Sequence, residues 1–497
     1  MSLTSKILRG AAILTVSRVI TRLFSLVAIL TVARWLGPEE MGVFSVVTLM
    51  LAALEQLSET GLRPAVIQRQ GDISRYITPV RTVQAVRGIF LGLLVFFTAP
   101  WVAGFFSSPK SLEILRVIAL VPVIQGLEPI FETLARKELN FGPIVKVQVV
   151  SGLVGLLVAV ISAYIKPDAW ALVYSALSRV AISTLGYYWV SERKLWTLSL
   201  KWSALKDLHS FGFWMFTTGV VSYLFIKGGE WVIGRMLSVL ELALYQMAFL
   251  ISTTATAELA AILNNMLLPM FSKLQNDREK LSKAFSFSFG TISIVTFLMA
   301  ALVCACSPDL YRLALGNKWT PALPLVPWLT AWGVCSVFAG SLAGVMQALC
   351  RPKLFTQTVF LMVGLMALGI YPMMQWLGSM GVAMLLAGIG IVMQLIRYWI
   401  VARLLRRTYW QVLGHVLIPM VACVVAVTLV RYVVGTTNQA TGWVSLLISA
   451  VGTTAVYGLI IAAAGSRLQP SLNELFGRAK PMFAMIGKPS IADGSGR

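Results

Sequence analysis

The chain has 497 residues, of which 58% are hydrophobic and only 12% charged, and its mean hydropathy is +0.80. A soluble multidomain protein of this length carries roughly twice that share of charge, so the composition excludes that class. The net charge of +21 fits a nucleic-acid binder at first sight. However, the basic residues fall in alternate connections between apolar segments, and this alternation is typical of a membrane protein.

Fourteen apolar segments are long enough to cross the ~30 Å of bilayer hydrocarbon as helices. We therefore predict an all-α, polytopic membrane protein of about 14 transmembrane helices. The predicted spans lie at about 11–36, 41–62, 82–106, 111–133, 143–165, 168–190, 209–236, 241–269, 284–306, 321–348, 354–376, 379–402, 411–434 and 441–464. The connections between them are too short to hold a folded domain.

The basic residues give the predicted topology. The N-terminus and every second connection carry arginine and lysine, as at Arg136 with Lys137 and at Arg403 with Arg406, whereas the intervening connections carry few. By the positive-inside rule, both termini are expected in the cytoplasm. The segment 465–497 is expected to form a cytoplasmic tail.

Two weak internal echoes indicate a repeat. ARWLGPEEMGVF at 33–44 aligns with GRMLSVLELALY at 234–245, and LARKELNF at 134–141 aligns with LCRPKLFT at 349–356. The echoes predict two six-helix bundles of the same orientation, as many transporters have. The predicted division is an N-terminal bundle over 1–191, a cytoplasmic linker over 192–208, a C-terminal bundle over 209–404 and two additional helices over 405–464.

The first span contains two arginines, Arg18 and Arg22, which are four residues apart and share one face of a helix. An arginine inside a span costs roughly 2.5–3.5 kcal/mol on insertion scales, so both are expected to point into the protein or into water. We predict that they line a wet, cationic cavity. Paired guanidinium groups suit a diphosphate or an acidic sugar and repel a cationic drug.

Further ionisable residues lie inside predicted spans. Lys227 and Glu230 are one turn apart, so the alternative to a transport role is a self-satisfied ion pair. The others either face the cavity, pair with each other or reach to the membrane surface. The candidates for the cavity are Arg87, Arg179 and Lys227, and the candidates for ion coupling are Glu230 and Glu258.

Enzyme chemistry finds little support. His209 and His415 are the only histidines, and neither has a neighbour in the sequence that would complete a metal site. Cys304 and Cys306 form a CxC pair with no further ligands nearby, so we interpret them as packing residues. The chain has no phosphate-cradling Gly-Lys-Ser/Thr loop. We predict no catalytic residue, no bound metal and no cofactor, with coupling to a proton or sodium gradient as an open alternative.

Three stretches resemble a known family. RWLGPEEMGVFSVV at 34–47 is similar to the first-loop signature of polysaccharide transporters, the Wzx-type flippases of the MATE/MOP superfamily. Arg18 and Arg22 in one helix resemble the first helix of lipid II flippases. QALCRPKLFTQ at 347–357 with LGSMGVAM at 377–384 resembles the second-half pattern. The chain departs from the family pattern in the second-half echo of LGPEE, where Ser238 and Leu240 replace small or glycine-like residues.

The resemblance implies a flippase of the bacterial inner membrane that moves undecaprenyl-diphosphate-linked oligosaccharide to the outer leaflet by alternating access. Arg18 and Arg22 would then hold the diphosphate or an acidic sugar, and polysaccharide polymerase or export machinery would be a partner. The alternatives are a MATE-like multidrug or cation antiporter, a membrane glycan polymerase or ligase, and an assembly scaffold.

Overall fold

The computed structural model describes residues 3–58, 66, 74–138, 140–191, 202–349, 352–406, 409–437 and 442–464. Within these residues every regular element is a helix. The α-helices are α1 (Leu3–Leu36), α2 (Pro38–Ser58), α3 (Ser74–Phe105), α4 (Ser111–Ile118), α5 (Leu120–Leu127), α6 (Phe131–Lys137), α7 (Phe141–Ile165), α8 (Trp170–Val190), α9 (Trp202–Met236), α10 (Val239–Lys273), α11 (Arg278–Leu310), α12 (Val326–Ala348), α13 (Pro352–Leu404), α14 (Tyr409–Thr437) and α15 (Trp443–Ala463). A π-helix (Tyr311–Leu315) and a 3₁₀-helix (Asn317–Leu325) join α11 to α12.

These helices coincide with the fourteen predicted segments, and the all-α membrane fold is confirmed. Nine helices of the described residues are long and apolar enough to cross a membrane by themselves, or ten if one bent group is counted. The count is lower than fourteen partly because α13 contains two predicted spans in one element. They meet at Gly378, whose φ of 59° and ψ of −139° suit a residue without a side chain.

The bent group explains why the predicted span 111–133 is three short helices. Glu128 precedes Pro129, and its backbone is extended at φ −58° and ψ 134°. Proline disfavours the helical conformation for the residue before it, so α5 ends there. The chain then turns by 47° into α6. This break places the half-buried Glu128 between α5 and the first turn of α6.

The described chain divides into two compact units. The first unit contains residues 1–249, 310–325 and 359–385. Its helices approach closely at glycines: a β-carbon at Gly88 of α3 would lie 2.4 Å from the carbonyl oxygen of Pro122, and one at Gly126 would lie 2.8 Å from Gly88. The hydroxyl of Ser175 on α8 donates to the carbonyl oxygen of Gly155 on α7 at 2.7 Å. Small residues and side-chain hydrogen bonds are the usual means of helix association in a membrane.

The second unit contains residues 250–309, 326–358 and 386–497. Its core is aromatic: Phe289 packs against Phe285, Phe338 and Tyr398 with ring centroids 5.1–5.3 Å apart. The helix α15 turns a polar stripe inward, formed by Ser445, Ser449, Thr453 and Tyr457, all of them buried. Residues four apart share one helix face, so the whole stripe is removed from lipid.

A buried ion pair joins three helices of the second unit. Asp309 at the end of α11 is 8% exposed and lies 3.1 Å from Arg431 of α14. Its two carboxylate oxygens also accept from Ser445 at 2.9 Å and Ser449 at 3.1 Å. The polar stripe of α15 therefore surrounds a charge that would otherwise be costly to bury.

The division into bundles over 1–191 and 209–404 stays a prediction. Much of the predicted linker, residues 192–201, and the whole of the tail 465–497 lie outside the described residues.

Candidate functional site

A polar cavity of about 610 Å³ lies among the first eight helices, inside the first unit. Its volume is in the range of pockets that bind small molecules. Its charged and larger polar lining residues are Arg18, Glu55, Gln84, Arg87, Gln125, Glu128, Glu132, Arg136, Gln148, Arg179 and Tyr187. So many ionisable groups among membrane-spanning helices require water or a polar ligand in the cavity.

The register of α7 and α8 fixes the depth of two lining residues. A β-carbon at Gly155 would lie 3.3 Å from the β-carbon of Arg179, whereas one at Gly186 would lie 3.0 Å from Val147. Arg179 precedes Tyr187 by eight residues, so it lies ~12 Å deeper along α8. Here depth is measured from the end of the helices that the charge pattern predicts to be cytoplasmic. Arg179 thus lies deeper in the cavity than Tyr187.

Arg18 lies at an intermediate depth. A β-carbon at Gly152 of α7 would lie 3.6 Å from Thr21 of α1, and Arg18 is about one turn closer to the predicted cytoplasmic end. The side chains of Arg18 and Arg179 are both exposed to the cavity. Among the described residues, neither guanidinium group has a hydrogen-bond or ion-pair partner. They are therefore available to bind an anion.

The other two lining arginines are held by the protein. Arg87 of α3 donates from Nη2 to the carbonyl oxygen of Glu55 on α2 at 3.1 Å. Arg136 donates from Nε and Nη2 to Oε1 of Glu132, four residues earlier, at 3.0 and 2.6 Å. Arg136 is thereby neutralised locally, while Arg87 ties two helices together beside the cavity.

The mouth of the cavity carries acceptor groups. We name Gln84, Glu128, Glu132, Arg136 and Tyr187 the mouth cluster. The last four lie near the ends of α5, α6 and α8 that face the predicted cytoplasm, and Gln84 of α3 lies beside Gly126 near the end of α5. Gln84 is 6% exposed, and no donor of the described residues reaches its Oε1 atom. Both bonds from Arg136 go to Oε1 of Glu132, so Oε2 remains for another donor.

The structure brings together Arg18, Arg87 and Arg179 of the residues singled out from the sequence. Arg22 is half-buried on α1 and does not line this cavity. Glu258 is half-buried on α10, in the second unit. The role of each in transport stays a prediction.

Lys227 and Glu230 form the ion pair that their spacing predicts, with Lys227 Nζ 2.5 Å from Glu230 Oε1. Glu230 is fully buried, and its other oxygen accepts from Gln246 Nε2 at 2.7 Å. The ammonium group of Lys227 also lies 5.3 Å from the centroid of the Phe249 ring. The pair lies outside the lining of the cavity, so cavity and ion pair are two separate features of the first unit.

Sequence reasoning missed the mouth cluster. Arg136 was counted only among the basic residues of a connection, and Glu128 and Glu132 beside it were not considered. The one available signal was the spacing of four between Glu132 and Arg136, which predicts an intrahelical pair but not a cavity. Gln84, Gln125 and Gln148 are amides inside predicted spans, and that unusual placement also pointed to a polar interior.

Comparisons with known proteins agree with this fold. A family model described as "Polysaccharide biosynthesis protein" matches residues 31–324. The chain is 24% identical over 355 residues to the lipopolysaccharide biosynthesis protein WzxC of Escherichia coli, covering 71% of this chain and 72% of that protein. It is 23% identical over 321 residues to the succinoglycan biosynthesis transport protein ExoT of Rhizobium meliloti, covering 63% and 64%.

Solved structures share the architecture. The lipid II flippase MurJ in an inward closed conformation matches with a TM-score of 0.70 and 14% identity, over 93% of this chain and 99% of that chain. An inward-facing multidrug transporter of the MATE family and MOP superfamily matches with a TM-score of 0.62 and 15% identity, over 78% and 94%. At these identities the likeness shows the fold alone.

The family model confirms the predicted family, and the solved structures confirm the predicted fold. The family model spans more than half of the chain and includes the first-loop signature from its start at residue 34. The structural matches show that the fold is shared with a lipid II flippase and with a MATE-family transporter of the MOP superfamily. The chain belongs to the polysaccharide biosynthesis protein family, with the fold of the MOP superfamily of transporters.

Proposed function

We propose that this protein is a flippase that moves undecaprenyl-diphosphate-linked oligosaccharide units across the bacterial inner membrane for polysaccharide export. The observation that carries the proposal is a pair of guanidinium groups, those of Arg18 and Arg179, which line a cavity among membrane-spanning helices and have no partner among the described residues. A diphosphate offers the planar acceptor geometry that arginine binds best. The names of WzxC and ExoT, which refer to lipopolysaccharide and succinoglycan biosynthesis, support a glycan cargo.

The mechanism that we propose is alternating access. Both termini lie in the cytoplasm, the cavity opens toward that side, and two six-helix bundles rock to expose it to the other side. The diphosphate and sugars occupy the cavity while the polyprenyl tail stays in the bilayer. Moving a diphosphate through hydrocarbon without such a cavity would require its desolvation, which costs several kcal/mol or more per charge.

The test is translocation of a fluorescent polyprenyl-diphosphate oligosaccharide in proteoliposomes without ATP. We expect the double variant Arg18→Ala/Arg179→Ala to lose at least about tenfold in rate, because each lost charge-assisted contact is worth roughly 1.5–3 kcal/mol. Arg116→Ala is the matched control, since Arg116 is exposed on α4, lies over the Phe96 ring and does not line the cavity. Unchanged transport by the double variant would contradict the proposal.

Arg22→Ala belongs in the same series. A loss of transport in this variant, with normal insertion and unfolding temperature, would give Arg22 a role in another state of the transport cycle. Normal transport would restrict the anion site to the arginines that line the described cavity.

Coupling to a proton or sodium gradient is proposed at the buried ion pair. Glu230 is a carboxylate with no exposed surface, so loss or gain of a cation there would change the balance of charge in the first unit. Glu230→Gln should abolish acceleration of transport by an imposed gradient while downhill flipping continues. Glu258→Gln is tested in parallel, and a gradient response that survives in both variants would exclude them from coupling.

An antiporter of cationic compounds is the second candidate. Three carboxylates line the cavity, those of Glu55, Glu128 and Glu132. They favour this function, as does the fold shared with a MATE-family transporter. In the same proteoliposomes, movement of a cationic dye under an ion gradient, with the glycolipid static, would establish this second reading.

A further inference from the structure

The internal echo places two arginines at matching positions of the two predicted bundles. In the alignment of 33–44 with 234–245, Arg34 matches Arg235. Arg34 lies in the last turn of α1, and Arg235 lies in the last turn of α9. Arg34 follows Arg18 by 16 residues, so it lies ~24 Å further along α1, away from the end that the charge pattern predicts to be cytoplasmic. The repeat therefore predicts equivalent contacts for the two arginines, at the end of the helices opposite the mouth cluster.

Each arginine donates a hydrogen bond to a backbone carbonyl group at the end of another helix. Arg34 donates from Nη1 to the carbonyl oxygen of Leu313, in the π-helix that follows α11. Arg235 donates from Nη1 to the carbonyl oxygen of Phe105, the last residue of α3, at 2.9 Å. Carbonyl groups at the end of a helix lack intrahelical donors and carry the negative end of its dipole, so a guanidinium group is favoured there. Since α3 and α11 each contain the third predicted span of a bundle, the two contacts are equivalent.

Both bonds cross between the two predicted bundles. Arg34, in the N-terminal bundle, bonds to a segment of the C-terminal bundle, and Arg235 does the reverse. The start of α2 also meets the start of α10 here, because a β-carbon at Gly42 would lie 2.3 Å from the carbonyl oxygen of Val239. All of these residues belong to the first compact unit. Segments of both predicted bundles are therefore joined at the end of this unit opposite the mouth cluster.

The glutamates of the same echo bond within one predicted bundle. Glu40 Oε1 lies 2.6 Å from Lys110 Nζ, and both residues belong to the N-terminal bundle. Glu241 Oε2 accepts from the hydroxyl of Ser379 at 2.7 Å, and both residues belong to the C-terminal bundle. These bonds strengthen each bundle by itself, whereas the arginine bonds join one bundle to the other.

A contact that opens in every transport cycle has to be specific but weak. The side chains of Arg34 and Arg235 are both exposed. An exposed charge-assisted bond contributes little stability, since water takes the place of the carbonyl oxygen when the bond breaks. Neither bond has a carboxylate as its acceptor, so opening leaves no second charge to be solvated. The two bonds therefore meet both requirements.

We propose that Arg34 and Arg235 form a paired latch, in which each predicted bundle holds a helix end of the other and keeps the cavity closed at the end opposite its mouth. Both bonds break when the bundles rock and the cavity opens to the other side of the membrane. This inference rests on the alternating access of the proposed function. The latch is independent of the cargo, because neither arginine lines the cavity.

Access to a cavity residue from the far side of the membrane tests the latch. Ser25 of α1 lines the cavity, and Ser25→Cys introduces a thiol there with little change in size. Right-side-out membrane vesicles are treated with a membrane-impermeant maleimide, and mass spectrometry of the peptide that contains position 25 gives its labelling rate separately from the native cysteines. We expect Arg34→Gln or Arg235→Gln to raise this rate about threefold and the double variant to raise it about tenfold, because the loss of each exposed bond favours the open state.

Glu40→Gln is the matched control, since it removes a bond at the same end that stays within one predicted bundle. It should leave the labelling rate unchanged, and so should Arg34→Lys/Arg235→Lys, which keeps a charged donor at each position. Either single glutamine variant carries the test by itself if the double variant does not fold.

An unchanged labelling rate in the folded glutamine variants would overturn the latch, as would an equal increase in Glu40→Gln. A faster labelling rate in a protein that leaves the glycolipid static would support the latch and reject the proposed cargo. Failure of the latch and failure of the flippase function are thus distinguishable.

Discussion

The indole N–H of Trp319 donates a hydrogen bond to the carbonyl oxygen of Ala33 at 3.0 Å. Ala33 lies in the last turn of α1, where its carbonyl oxygen also accepts from the backbone N–H of Gly37 at 3.1 Å, and Trp319 is fully buried. In return, Arg34 donates from Nη1 to the carbonyl oxygen of Leu313 in the π-helix. The last turn of α1 and the segment 311–325 thus each donate a side-chain hydrogen bond to a backbone carbonyl oxygen of the other, at the end of the first unit opposite the mouth cluster.

This exchange predicts a graded response to substitution at Trp319. Trp319→Phe keeps most of the buried ring but removes the donor, so it should cost about 1 kcal/mol of stability, the usual net worth of a hydrogen bond. Trp319→Ala also leaves a cavity and should cost about 3–5 kcal/mol. Thermal unfolding in detergent measures both. Equal unfolding temperatures for the two variants would contradict the packing described for this residue.

A second prediction concerns steric hindrance at Gly42, at the same end of the first unit. A β-carbon there would lie 2.3 Å from the carbonyl oxygen of Val239 at the start of α10, closer than any real contact. Gly42→Ala should therefore force the two helices apart and destabilise the protein by about 1–3 kcal/mol.

Gly104→Ala is the control for Gly42. A β-carbon at Gly104 of α3 would meet nothing within 4 Å, so this variant should be neutral or slightly stabilising. A similar loss of unfolding temperature in both variants would indicate a general intolerance of alanine rather than a close helix approach.

The ion pair between Asp309 and Arg431 predicts strong non-additivity. Arg431→Met leaves the buried Asp309 carboxylate with only Ser445 and Ser449 as donors and should cost about 3–5 kcal/mol. The double variant Asp309→Asn/Arg431→Met removes both charges and should recover much of that loss. A double-mutant cycle of unfolding free energies measures the coupling, and simple additivity would mean that the pair is not formed.

We predict that the stability of the protein depends on pH through Asp277, which lies in the connection between α10 and α11. Its carboxylate accepts from the backbone N–H of Lys280 at 3.0 Å and lies 2.9 Å from the Lys280 ammonium group, and these contacts lower the pKa of Asp277. The pKa of Asp277 is lower in the folded protein than in the unfolded chain, so its ionised carboxylate stabilises the fold above the unfolded-state pKa of about 3.9. This stabilisation is lost as the pH falls through the folded-state pKa.

Asp277→Asn isolates this charge, since asparagine still caps a helix. The unfolding temperature of the unaltered protein should exceed that of Asp277→Asn at pH 6, and the difference should vanish in acid. A difference that stays constant from pH 6 to pH 3 would contradict the contribution of the ionised carboxylate.

Arg18 shows how much residue patterns can predict. The apolar run around Arg18 makes a span inevitable, and the cost of a charge inside it predicts a wet interior. The same reasoning favoured Arg22 as its partner, because the two share a helix face. In the structure, the guanidinium group that accompanies Arg18 in the cavity, with no partner among the residues described, belongs to Arg179 on a helix distant in the chain. Helix periodicity describes one helix and carries no information on which neighbour supplies the opposite wall.

Glu128 and Asp309 show that the same limit applies to acidic residues. Each looks in the sequence like an ordinary surface carboxylate at the end of a span. Glu128 lines a cavity because the following Pro129 breaks the helix and α6 turns by 47°. Asp309 is buried because two serines and an arginine from α14 and α15 surround it. The burial of Asp309 depends on contacts between segments far apart in the chain, whereas the break at Glu128 is local.

By itself, the sequence determined the class of the protein, its helices and the family, because the length of an apolar run, the cost of a charge in hydrocarbon and the position of Gly and Pro act locally. Only the tertiary structure decided which arginines share a cavity, where the acceptors of the mouth cluster lie and which charges neutralise each other. Those facts depend on the register and packing of helices, which are set by the small residues and side-chain hydrogen bonds at their contacts.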